Sequence, residues 1–149
     1  MKHFFVIGNK TSKSLSPLIF NHWFKKYKIN AEYTYVEIKK EKLDKFILEK
    51  IHENKTTGFN ITIPFKKDII KYLENENKHV RKIGAANCVT IKKKIQGTNT
   101  DWIGFLKAIR GYNIKKNNKI IILGYGGAAQ AIVYGFLLKG YKNVVVFNR

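Results

Sequence analysis

Lys119–Leu123, a run of β-branched residues and leucine that reads as a buried strand, leads straight into Gly124-Tyr125-Gly126-Gly127, and Ala131 follows on what reads as a helix. A buried strand, a glycine turn and a helix in that order suit a pyrophosphate. The first glycine allows the tight turn, the second lets backbone approach the phosphates, and the free N–H groups at the positive end of the helix hold them. Gly124 and Gly126 take those places, while Gly127 and Ala131 keep helix and strand close. A tight turn needing positive φ would use the same residues. The second buried strand, Val144–Phe147, favours dinucleotide binding instead. At the tip of such a strand, enzymes that use NAD carry an acid for the ribose 2′-hydroxyl, and those that use NADP carry an arginine near the 2′-phosphate. This chain has Asn148-Arg149 there, so the expected cofactor is NADP(H).

The first hundred residues hold three more groupings. Ser14-Leu15-Ser16-Pro17 sets two hydroxyls beside a helix start, where unpaired backbone donors welcome a small anion. Ser16 taken alone reads as an N-cap, with Pro17 at the first helical position. Asn60-Ile61-Thr62-Ile63-Pro64-Phe65-Lys66 alternates along a strand, so Asn60 and Thr62 share one face while Ile61 and Ile63 face the core. Lys66 then falls in the first turn of a short helix expected from Pro64 to Leu73. An exposed cation there opposes the helix dipole by a few tenths to about 1 kcal/mol, which disfavours an idle surface lysine. Gly97-Thr98-Asn99-Thr100-Asp101 ends a strand and begins a helix, with Thr100 or Asp101 as the structural N-cap.

The elements that must hold these groups alternate in type, as in an α/β protein. Strands are expected at Lys2–Gly8, Ala31–Ile38, Gly58–Ile63, Ala86–Ile91 and Ile95–Thr98. Helices are expected from Ser16-Pro17 to about Tyr27 and over Glu41–Glu53, where Leu43, Phe46, Ile47 and Ile51 form one apolar face. Two more are a charged helix leading to Gly84 and one over Asp101–Arg110, ended by Gly111. After a turn at Asn117-Asn118, the strand, the glycine turn, a helix through Lys139 and the last strand make one βαβ unit.

A length of 149 residues is enough for one good core, and 44% hydrophobic with 13% aromatic residues excludes a disordered polar tail. One cysteine forms no internal disulfide. The opening MKHFFVIGNK lacks the apolar core of a secretory signal, and no stretch approaches eighteen apolar residues, so a cytoplasmic location without a membrane partner is expected. The net charge of +19 invites a nucleic-acid reading. Against it, the cations are 26 Lys and only 3 Arg, scattered along every segment, whereas base readers lean on arginine. No nucleic-acid partner is expected, and Trp23 and Phe46 sit at core spacing.

Together, Ser14–Pro17, Asn60–Lys66, Gly84-Ala85-Ala86-Asn87-Cys88-Val89, Gly97–Gly104, Gly124–Ala128 and Asn148-Arg149 resemble the shikimate dehydrogenase family, six motifs in the family's order from end to end. The resemblance implies an α/β substrate domain with a mixed sheet over residues 1–101, a connecting helix and linker over 102–116, and the beginning of an NADP-binding Rossmann domain over 117–149. It implies that Ser14 and Ser16 bind the substrate carboxylate. Thr62, Asn87 and Asp101 would bond the ring hydroxyls, supported by Asn60. Lys66, paired with Asp101, would give and take the proton. Gly124, Gly126, Gly127 and Ala128 would cradle the cofactor phosphates, and Asn148 and Arg149 would face the 2′-phosphate. The implied reaction is the reversible NADPH-dependent reduction of 3-dehydroshikimate to shikimate, a step toward chorismate and the aromatic amino acids, in a small-molecule enzyme expected to form a homodimer and to need no metal.

Two side chains depart from the family pattern. Tyr125 replaces a small residue between the glycines, and Cys88 replaces a common threonine. Family members also continue through the rest of a Rossmann sheet, so the sequence reads as an N-terminal portion. The runner-up expectations are a quinate/shikimate dehydrogenase, against which the Ser14/Ser16 pair leans, and a fragment that binds substrate without turnover.

Overall fold

The structure is a computed structural model describing residues 1–53 and 56–148. Strand β1 covers Lys2–Gly8, helix α1 Ser16–Lys26 and β2 Ala31–Glu37. A 3-10 turn at Lys40–Lys42 leads into α2, Leu43–His52, and then β3, Thr56–Ile61. A second 3-10 turn at Asp68–Tyr72 precedes β4 (Asn75–Glu76), α3 (Lys78–Ile83), β5 (Cys88–Ile91) and β6 (Ile95–Thr98). The chain continues through α4 (Asp101–Ala108), β7 (Ile120–Leu123), α5 (Gly127–Leu138) and β8 (Val144–Phe147).

Six strands form one mixed sheet in the order β2-β1-β3-β5-β6-β4. β1 runs parallel to β2 and β3, β5 is antiparallel to β3 and β6, and the edge strand β4 is parallel to β6. Because β1 lies inside the sheet, Phe5, Val6 and Ile7 are all buried, as a strand covered on both faces requires. On one face Phe5, Ile7, Phe59, Ile61 and Val89 pack against Leu43, Ile47, Ile69 and Val80, with Phe5 and Phe59 stacked at 5.1 Å. On the other, Phe20 of α1 stacks on Tyr33 at 4.6 Å, and Phe24 meets Phe4 at 5.8 Å.

The smaller unit is a parallel pair, β7 and β8, crossed by α5, with Leu123 opposite Phe147. It is tied to the large sheet through α4, where Phe105 meets Phe136 at 5.2 Å and Trp102 meets Tyr134 at 5.6 Å. From α3, His79 stacks on Trp102 at 4.9 Å and its Nδ1 lies 2.7 Å from the Tyr134 hydroxyl. Among the described residues, no helix is long and apolar enough to cross a membrane.

Several local expectations change. Ser16 is the first helical residue of α1 rather than its N-cap; Leu15 takes that place, and Ser14 Oγ accepts the Ser16 N–H at 3.2 Å. Pro64 opens a turn rather than a regular helix: Phe65 N–H closes back on the Thr62 carbonyl at 3.0 Å, a single bond from Ile69 N–H to the Phe65 carbonyl at 3.0 Å follows, and the 3-10 turn begins at Asp68. Lys66 therefore sits ahead of the helical turn, and the dipole argument does not apply to it. β4 is too short, at two residues, to carry any periodicity.

β3 and β5 approach so closely that a Cβ on Gly58 would lie 2.6 Å from the Val89 carbonyl oxygen. Backbone cannot yield as a side-chain tip can. Gly58→Ala should therefore cost about 1–3 kcal/mol and lower the thermal midpoint by roughly 3–10 °C, read by circular dichroism; an unchanged midpoint would mean the strands can part freely there.

Candidate active site

Beyond the C-terminal ends of β1 and β3 lies a cleft of about 460 Å³. The chain leaves β1 toward β2 on one side while β3 pairs on the other, the arrangement that opens a crevice in α/β sheets. Ser14, Ser16, Asn60, Thr62, Lys66, Asn87 and Asp101 all line it, and Lys10 and Lys13 add two further ammonium groups. A larger groove of about 570 Å³ lies beside α4, but its walls are mostly apolar, among them Trp102, Leu106 and Ile109, and it shares no lining residue with the cleft.

The alternation along β3 sends Phe59 and Ile61 into the core and leaves Asn60 on the cleft side. There the Tyr33 hydroxyl donates to Asn60 Oδ1 at 2.7 Å, and Asn60 Nδ2 donates to the Asn87 carbonyl at 3.2 Å. Burial pushes the Tyr33 phenol well above its usual pKa, with a smaller contribution in the same direction from Cys88, against an opposing bond with Ser16. It stays a donor.

After β3 the turn is anchored twice. Phe65 is fully buried, and the Lys66 carbonyl accepts the Ala86 N–H at 2.8 Å. With its backbone held, Lys66 extends its Nζ to 2.7 Å from Asp101 Oδ2. The two side chains are only 14% and 25% exposed, so solvent screens them far less than the surface pairs of this chain. Asp101 is held from three directions. Its Oδ1 accepts Asn87 Nδ2 at 2.7 Å, and its N–H donates to Asn99 Oδ1 at 3.0 Å. As the first residue of α4, it also places its carboxylate at the positive end of the helix. Asn87 is fixed in turn by Thr100, whose N–H donates to Asn87 Oδ1 at 2.9 Å. The result is a directed ammonium beside hydroxyls and amides, which suits proton transfer on an oxygenated small molecule.

The glycine turn adjoins this machinery. Gly127 packs so tightly that a Cβ there would lie 2.8 Å from Lys66 Cβ and 3.3 Å from Ala85 Cβ. Gly124 has φ of 98°, the left-handed region that favours glycine. Gly126 is the N-cap of α5 and caps it with no side chain, while a Cβ on it would meet nothing within 4 Å. No packing among the described residues explains that glycine. Open space before the first-turn amides of a twelve-residue helix, entered at Gly127 and Ala128, fits a phosphate-bearing cofactor. Tyr125 is exposed; its carbonyl accepts Lys67 Nζ at 3.3 Å, and the same ammonium stands 5.2 Å from its ring centre. Gly124 N–H donates to the Phe147 carbonyl at 2.7 Å, so Asn148 follows at the same end of the small sheet. Arg149 lies outside the described residues.

Two contributors were not expected from the sequence. Asn99, 3% exposed, bridges Asp101 N–H and the Ala85 carbonyl, the latter at 2.9 Å; its place in the Gly97–Asp101 run was the available signal. Tyr33 offered none, since an aromatic residue in a strand ordinarily reads as core.

Comparison with known proteins agrees along the whole chain. Residues 6–89 match the family model of the shikimate dehydrogenase substrate binding domain. Shikimate dehydrogenase (NADP(+)) of Caldicellulosiruptor saccharolyticus is 42% identical over 100% of this chain and 54% of its own length, and that of Clostridium botulinum is 38% identical over 97% and 56%. The chain thus spans about half the length of the curated relatives it matches. The crystal structure of shikimate dehydrogenase from Aquifex aeolicus superposes with a TM-score of 0.91 at 37% identity, covering 100% of this chain and 56% of that one. The Thermus thermophilus enzyme in complex with NADP(H) and shikimate superposes with a TM-score of 0.87 at 29% identity, covering 100% and 56%.

Asn99→Ala removes the acceptor for Asp101 N–H and leaves the Ala85 carbonyl without that donor. It should cost about 1–3 kcal/mol in chemical denaturation; a loss near zero would show that Asp101 is held without it.

Proposed function

The chain belongs to the shikimate dehydrogenase family, and from that premise we propose that it carries the substrate cleft, the proton-transfer group and the first phosphate-binding turn of an NADP-dependent shikimate dehydrogenase. Residues 1–101 are the substrate domain, 102–116 the connecting helix and linker, and 117–149 the opening βαβ of the cofactor domain. One observation carries this reading: Lys66 Nζ, 2.7 Å from an Asp101 carboxylate whose other oxygen is taken by Asn87, stands in the cleft lined by Ser14 and Ser16, while the stem of the same side chain packs at Gly127, the start of α5.

In this reading the substrate is a hydroxylated cyclic carboxylate. Ser14 and Ser16 bond its carboxylate, while Thr62, Asn87 and Asp101 hold the ring hydroxyls. Gly124, Gly126, Gly127 and Ala128 would hold the phosphates of NADPH, with Asn148 and Arg149 the residues proposed for its 2′-phosphate, and the bound cofactor would supply the hydride that reduces the C3 carbonyl of 3-dehydroshikimate. Lys66 donates a proton from Nζ to the carbonyl oxygen, whose charge grows as the carbon is reduced, and recovers one from solvent. Running backward, its neutral amine takes the hydroxyl proton of shikimate. Asp101 keeps the Nζ direction fixed, so the acid is already oriented when charge develops on oxygen. Asn87 and Asn99 keep Asp101 fixed. Cytoplasmic location and homodimer formation remain part of this proposal.

The test joins binding to turnover. Lys66→Ala, in the chain extended by a full cofactor domain, should lower turnover with shikimate and NADP⁺ by about 10²–10⁴-fold and leave shikimate affinity within a few-fold. Unchanged turnover would remove Lys66 from the chemistry. A preference for quinate over shikimate in the same assay would move the substrate assignment to the quinate/shikimate enzymes.

A further inference from the structure

The loop from Asn9 to Leu15 carries Ser14 into the cleft, yet it has no helix or strand to hold it. Its shape rests on a few bonds, and most lead to the end of β2. Glu37 Oε1 accepts two consecutive backbone donors, Thr11 N–H at 2.8 Å and Ser12 N–H at 2.8 Å. Thr11 is 1% exposed, and its hydroxyl donates to the Val36 carbonyl at 3.0 Å. The Thr11 carbonyl then accepts Ser14 N–H at 2.9 Å, and Ser14 Oγ accepts Ser16 N–H at 3.2 Å. An unbroken relay therefore runs from the Glu37 carboxylate, through the Thr11 peptide, to both serines. The loop's entry is fixed independently: a Cβ on Gly8 would lie 2.6 Å from Thr62 Cγ2, and Asn9 N–H donates to the Ile63 carbonyl at 3.2 Å.

From this relay we infer that Glu37 is a positioning residue for substrate binding, holding the Ser14/Ser16 pair in the geometry that receives the substrate's carboxylate.

Glu37 does not line the cleft, so it acts through the loop and not on the ligand. Two neighbouring N–H groups converging on one oxygen form an anion-seeking pair, and a carboxylate satisfies it more strongly than a neutral acceptor would. The bonds from Ser12, backbone first, hold the Glu37 carboxyl below its usual pKa, with further help from the Thr11 N–H and the Lys10 charge. Lys10 also offsets the repulsion this acid would exert on an anionic substrate, since it lines the cleft itself. The length of the side chain matters more than its charge. Aspartate would keep the charge and retract it from both amides; glutamine would keep the reach and one acceptor oxygen.

The inference rests on the shikimate reading, and the experiment separates the two. Equilibrium binding of shikimate and of its methyl ester is measured calorimetrically for the wild-type chain and for Glu37→Ala, Glu37→Asp and Glu37→Gln. Circular dichroism checks that each is folded. In the wild type, the free acid should bind more tightly than the ester. Glu37→Ala and Glu37→Asp should lose about tenfold in affinity for the acid and little for the ester, collapsing the preference. Glu37→Gln should retain most of it. If Glu37→Ala fails to fold, the contrast between Asp and Gln decides alone. Equal losses for acid and ester, or an unaltered preference in Glu37→Asp, would overturn the role of Glu37. A wild-type chain that binds neither ligand would overturn the shikimate reading itself.

Discussion

The ion pair between Lys66 and Asp101 joins residues 35 apart in sequence at 2.7 Å, and the rest of the architecture can be understood as what makes that distance hold. Lys66 follows β3, Asp101 follows β6, and Asn87 precedes β5. Only a sheet in which β3 pairs with β5 and β5 pairs with β6 brings these three strand ends together. The register does so directly: Asn60 opposes Cys88, and Cys88 opposes Thr98. A one-residue slip would turn Asn60 into the core and Phe59 into the cleft. The buried set Phe59, Ile61 and Val89 guards against that slip, so the hydrophobic core and the polar cluster enforce the same alignment.

Legibility from sequence followed the range of the interaction. β3 was readable because alternation is local: each residue's face follows from its neighbours. The βαβ unit was readable because a four-residue apolar run, a glycine turn and a helix form a continuous signal. At Lys66 the sequence points to a helix where the structure has a turn, because proline is equally compatible with both. What decided it was the burial of Phe65 and the bond from Ala86 N–H to the Lys66 carbonyl, a partner twenty residues away. The seven candidate site residues that line the cleft could be gathered only through the family resemblance, since nothing in the spacing of Ser14, Thr62 and Asp101 says that they meet. Glu37 lay beyond both kinds of reading. It is an exposed acid at a strand end, and its value comes from two backbone donors on a loop 25 and 26 residues away.

Lys66 and Lys67 show how finely one turn divides its labour. Adjacent in sequence, they serve different partners: Lys66 Nζ meets Asp101 of the large unit, and Lys67 Nζ meets the Tyr125 carbonyl of the glycine turn. The same turn presses against α5 at Gly127, where a Cβ would come within 2.8 Å of Lys66 Cβ. A turn that holds Lys66 therefore also packs against the glycine start of α5. If the two units shifted by even a methyl group's width at Gly127, the Lys66 backbone would have to move too. The tyrosine between the glycines is accommodated because its ring lies outward beneath the Lys67 ammonium, 5.2 Å away, and leaves the space before Gly126 open. Charge and close packing at this joint thus couple Lys66 to the glycine turn, since neither can be displaced without disturbing contacts of the other.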